Sequence, residues 1–140
     1  MSMDDDKVVE LLKGVDLFRG LSRRELNRLI ASARDITHAE GHQVVEEGNT
    51  ALGFHLVVEG HAAVSQQGKH LRDIGPGDYF GEISMLDGKP RSASVVATEP
   101  LRTLWLNHTK FMALLDQHAE ISHSVMAGLC ARLRALEKAH

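Results

Sequence analysis

Nine of the twelve glycines crowd into one stretch, at positions 41, 48, 53, 60, 68, 75, 77, 81 and 88. Between them lie short runs such as "HQVVEE", "FHLVVE", "HAAVSQ" and "KHLRDI". Brief β-prone segments bounded at regular intervals by turn residues suggest a β-sandwich or barrel. "QQGKH", centred on Gly68, reads as a hairpin turn, and "ASVVATE" and "LRTLWLN" add two strands around Pro100. The β zone therefore runs from about 35 to 107. Its own turns account for Gly75, Gly77 and Asp78.

The flanks change period. In "DDDKVVELLKGV", Val8, Val9, Leu11, Leu12 and Val15 gather on one side, acidic residues stand at the helix start, and Gly14 marks the stop. "LSRRELNRLIASA" opens with Ser22 and has Glu25 three residues later, the capping-box pattern, and its Arg23, Arg24 and Arg28 read as a solvated face. Residues 1–34 are thus helical, as are residues 108–140. There "NHTKFMALLDQH" starts from Asn107 or Thr109 as cap, and a longer helix follows. In that helix Ile121, Val125, Leu129, Leu133 and Leu136 form a stripe, suited to core packing or to a seam with a second copy or a partner protein. Residues 1–140 read as one domain.

Composition narrows function. Net charge is −3 and the pI is near 6.3, unlike the basic balance of nucleic-acid binders. The single cysteine, Cys130, excludes an intramolecular disulfide and any multi-cysteine zinc site, which fits a reducing cytoplasm. Cys130 itself reads as a small core hydrophobe. No apolar run approaches the roughly 20 residues of a membrane span, and the acidic N-terminus is no signal peptide.

The segment "GDYFGEISMLDGKPRSASV", residues 77–95, carries the chemistry. Gly81 allows a ligand to approach the backbone. "EISML" could form one helical turn, whose free N–H groups favour an anion. Arg91 offers a planar fork of donors that matches phosphate oxygens. Glu82 is an acceptor suited to a sugar hydroxyl, and Ser92 adds a hydroxyl beside the arginine. Together they describe a site for a sugar phosphate of low charge. A triphosphate would more often bring a G-x-x-x-x-G-K-[ST] loop, which is absent. Nor is there a nucleophile elbow or an HExxH pair, so no enzyme activity is expected.

Phe80-Gly81-Glu82, the run Ile83 to Leu86, Asp87-Gly88-Lys89 and Pro90-Arg91-Ser92-Ala93-Ser94-Val95 closely resemble the phosphate-binding cassette of cyclic-nucleotide-binding domains. Such domains occur in catabolite-activator-type regulators, kinase regulatory subunits and cyclic-nucleotide-gated channels. The resemblance covers nearly the whole chain. It implies an α+β fold: an eight-stranded antiparallel β-roll (jelly roll) flanked by helices, with the cassette at 80–95. It implies that Glu82 accepts the ribose 2′-hydroxyl and that Arg91 pairs with the cyclic phosphate. Gly81 and the N–H groups of Ile83, Ser84, Ser92 and Ala93, with the Ser92 hydroxyl, would complete the phosphate shell. Val64 and Leu71 would line the wall beside sugar and base. The ligand is expected to be cAMP, with cGMP the alternative, and no metal. Activator-type regulators continue into a DNA-binding domain; here the sequence ends at His140, so DNA binding is not expected of this chain alone. Leu136 and Glu137 stand where those regulators place hydroxyl residues against the purine. The final helix is therefore expected to cover the base, through Leu133 and Leu136, and not to read its edges.

Two other readings compete. One is a degenerate scaffold that kept the fold and lost the ligand; the presence of both Glu82 and Arg91 argues against it. The other is a cupin-like metal protein, since His38, His42, His55, His61 and His70 all lie in the β zone. No H-x-H followed by a glutamate occurs, so these read as surface histidines.

Overall fold

The computed structural model describes residues 3–48, 53–81, 89 and 91–138, without the side chains of Met3, Asp4, Asp16 and Arg132. Helix α1 (Met3–Lys13) leads through a short 3-10 turn, Asp16–Phe18, to α2 (Arg23–Ser32). Ser22 caps α2 with the reciprocal bonds expected of a capping box: its Oγ accepts from the Glu25 N–H, and Glu25 accepts from the Ser22 N–H. Eight strands follow: β1 (Arg34–His38), β2 (Gln43–Val45), β3 (Gly53–Glu59), β4 (Ala62–Gln66), β5 (Lys69–Ile74), β6 (Tyr79–Phe80), β7 (Ser94–Ala97) and β8 (Leu101–Asn107). Helices α3 (His108–Gln117) and α4 (Ala119–Lys138) close the described chain, and Asn107 is the cap of α3.

The strands pair antiparallel in two sheets of four, ordered β1-β8-β3-β6 and β2-β7-β4-β5. Facing each other, they make the β-roll. The β4–β5 turn has Gln67 at φ 52° and Gly68 at φ 76°, the two positive dihedrals that a tight hairpin of this hand requires. Two cores result. Val57, Ala62, Val64, Ile74, Phe80, Val95, Ala97 and Leu101 fill the roll. On the outer face of the first sheet, Phe54, Leu56, Leu104 and Leu106 meet the helices through Val9, Leu12, Leu26, Phe111, Ile121 and Val125. Strand β3 is covered on both faces, so every position before its last, Glu59, is buried.

Several expectations change. Cys130 is exposed, because it lies off the buried side of α4. Ile121 and Val125 are buried and Leu129 partly so, but Leu133 and Leu136 are 59% and 60% exposed, since this end of α4 runs past the body of the domain. His38 and His55 are not surface residues: each points inward from a strand of the first sheet and is buried. No helix among the described residues is long and apolar enough to cross a membrane.

Candidate functional site

The segment expected to form the cassette lies between β6 and β7 in the chain. Glu82, Ile83 and Ser84, with the turn through Gly88, lie outside the described residues. Both ends of the segment are described, and they converge on Arg91.

Arg91 precedes β7, yet its guanidinium crosses the roll to the first sheet. It is 7% exposed, and its Nη2 donates to the Gly53 carbonyl at 2.5 Å. Gly81 makes room for it. A Cβ on Gly81 would collide with Arg91 Nη1 and lie 2.8 Å from the Gly53 carbonyl; moreover, Gly81 sits at φ +96°, where a side chain is strained. Gly53 is confined as tightly, because a Cβ there would collide with the Trp105 indole. On the other side, the Arg91 carbonyl accepts from the Gly48 N–H at 2.9 Å, tying the cassette's end to the loop after β2. The sequence signalled Gly81 through the motif; Gly53 looked like one turn glycine among many.

A buried polar group continues from the arginine. His55 stacks on Phe80, with ring centroids 4.7 Å apart and planes at 9°. Its Nδ1 lies 3.2 Å from the Thr103 hydroxyl, and His38 Nε2 lies 3.3 Å from the same oxygen. His38 in turn stacks on His42 at 5.4 Å. Burial holds His55 at a pKa of about 3, helped by the nearby Arg91 and His38, so the ring is neutral near pH 7. Burial also lowers His38, with His42 adding to the effect. His38 and His55 were expected at the surface and Thr103 was given no part, whereas His42 is exposed as expected. The signal was there: His55 sits in the middle of "FHLVV", a run with too few polar positions for a half-exposed strand.

The other expected residues divide. Ser92 is exposed, and its carbonyl accepts from Gln66 Nε2 at 3.0 Å. Ala93 packs against the roll core. Val64 is 3% exposed and belongs to that core, whereas Leu71 on β5 is 48% exposed and offers an apolar surface. Leu133 and Leu136 stand in solvent, away from the roll. Asp78 and Gly75 close a turn, with the Gly75 N–H donating to Asp78 Oδ2 at 2.9 Å. Among the described residues no group of three or more His, Cys, Asp or Glu is placed to hold a metal ion.

Comparison with known proteins gives a consistent result. A family model described as "Cyclic nucleotide-binding domain" matches residues 36–118. The cyclic AMP receptor protein of Thermus thermophilus is 31% identical over 128 residues, which is 88% of this chain and 59% of that one. The cAMP-dependent protein kinase regulatory subunit of Eremothecium gossypii is 34% identical over 116 residues, covering 80% of this chain and 25% of the relative. The chain thus spans 59% and 25% of these two relatives' lengths, less than two thirds of either. Among solved structures, the Thermus thermophilus catabolite activator protein superposes with a TM-score of 0.80 at 30% identity, over 87% of this chain and 60% of that one.

Proposed function

As the chain belongs to the cyclic nucleotide-binding domain family, we propose that it is a regulatory, non-catalytic sensor domain of the cytoplasm that binds a 3′,5′-cyclic nucleotide, cAMP in preference to cGMP. The observation that carries the reading is Arg91: a buried guanidinium framed by Gly53 and Gly81 at the root of the cassette. A guanidinium held in a site shielded from water suits a phosphate monoanion, because charge-assisted bonds are roughly twice as strong as neutral ones. Glu82 takes the ribose 2′-hydroxyl. The N–H groups of Ile83, Ser84 and Ala93, with the Ser92 hydroxyl, complete the phosphate shell, and Leu71 supplies an apolar contact for sugar or base.

Leu133 and Leu136, both exposed on α4, serve as a lid over the base. Drawing the end of α4 over the base would bury both, at about 1.5–3 kcal/mol for each leucine fully removed from water. That differential contact is what would couple binding to helix position. Hydrogen exchange with and without cAMP tests the pair of claims. The expected result is added protection in residues 81–95 and in the C-terminal half of α4. Protection of the cassette alone would refute the lid, and protection of neither at millimolar cAMP would refute nucleotide binding.

A further inference from the structure

The interior of the roll has two unlike halves. Toward β4 and β5 it is aliphatic. Toward β1 and β2 the inward positions hold His38, His55, Thr103, Arg91 and Trp105, and a cavity of about 490 Å³ remains between the sheets. This chamber opens on the β1–β2 flank. On its inner side the lining is Arg91 and His55, beside Gly81 and Phe80. A small roll normally fills such positions with side chains. Perturbed titratable groups around a concavity of this size instead mark a ligand site.

The lining states the ligand's chemistry. Arg34 and the buried Arg91 both line it, and the planar fork of a guanidinium matches a carboxylate. His38 and His55 are held uncharged and add hydrogen-bonding capacity without further charge. Trp105 is only half-buried, although it sits in register with Arg34 on the inner face, and Val44 and Val45 lie in the opposite wall. An indole face opposed by aliphatic groups suits a flat apolar body.

We propose that this flank chamber is a second ligand site, for a small planar monocarboxylate whose carboxylate is gripped by Arg34 and Arg91 and whose ring lies against Trp105. One guanidinium cannot face a carboxylate in the chamber and a phosphate in the cassette together. Occupancy therefore opposes cyclic-nucleotide binding; this coupling rests on the function proposed above, whereas the chamber itself does not.

Trp105 is the chain's single tryptophan, so its fluorescence reports on the chamber directly. Benzoate is the probe. The expected result is a saturable change in Trp105 emission, with affinity reduced about tenfold or more in Arg34→Gln, which loses one charge-assisted contact at an exposed position. Linear quenching matching that of free tryptophan amide, or the same saturation curve in Arg34→Gln, overturns the site. In a second arm, saturating benzoate should weaken cAMP binding in the native chain and leave it nearly unchanged in Arg34→Gln. Saturable benzoate binding without effect on cAMP overturns the coupling. Absence of cAMP binding alone defeats the nucleotide reading, and the fluorescence arm still decides the chamber.

Discussion

His55 makes the stability of this domain depend on pH in a direction opposite to that of a salt-bridged histidine. Its ring is 6% exposed, stacked on Phe80, and neutral in the fold with a pKa of about 3 against an ordinary 6.5. On unfolding it regains the ordinary value, so between these limits the unfolded chain binds more protons than the native one. Stability is therefore complete above about pH 6.5 and falls as pH drops toward 3. At pH 5 nearly all unfolded chains carry the proton and nearly all native ones do not, which amounts to about 2 kcal/mol lost relative to pH 7. For a domain of this size that is roughly 6–10 °C in Tm. Thermal melts at pH 7, 6 and 5 of the native chain and of His55→Asn provide the assay. The asparagine keeps a polar atom near Nδ1 for Thr103 but does not titrate. The variant will be less stable at pH 7, having lost the stack on Phe80, and only the pH dependence is compared. His38 titrates in the same direction and remains in both proteins. If Tm falls between pH 7 and pH 5 by the same amount in both, His55 is not a neutral, buried ring and the reasoning fails.

Gly81→Ala should be costly twice over, since a methyl at φ +96° is strained and collides with the Arg91 guanidinium; urea unfolding should show a loss of about 1–3 kcal/mol, and an unchanged midpoint would show that Arg91 does not need this space. Glu82→Gln should weaken binding of cAMP more than of 2′-deoxy-cAMP, measured by displacement of a fluorescent analogue, whereas equal losses would contradict the ribose role. Deleting residues 130–140 leaves buried Ile121 and Val125 in place, so the circular dichroism melt should change little while cAMP binding weakens; equal affinity in the shortened chain would show that the helix is no lid.

Glycine spacing located six of the strands, and the two it missed explain themselves. The inward positions of β1 are Arg34, Ile36 and His38, so "RDITH" carries no apolar alternation. With only Tyr79 and Phe80, β6 is too short to have a pattern. His42, His61 and His70 are exposed as expected, but His38 and His55 were misjudged for a related reason: the residue is at home on a surface or in a core, and what buries His55 is the second sheet, which "FHLVVE" cannot show by itself. In α4 the stripe correctly gave the buried face through Val125, but periodicity carries no information on where the body of the domain ends. That left Leu133 and Leu136 exposed and Cys130 outside the core. The cassette is expected from its motif alone, because that chemistry is local in sequence. The inward course of the Arg91 side chain was not legible, since it depends on Gly53 on a strand 38 residues earlier.

Calorimetric titration of cAMP into the native chain and into Arg91→Ala tests the central claim most directly. The account predicts saturable one-site binding of cAMP by the native chain at submillimolar concentration. Removing the guanidinium should weaken it about tenfold to several hundredfold while the melt stays cooperative. Absence of binding below millimolar cAMP, or the same affinity in Arg91→Ala, would contradict it.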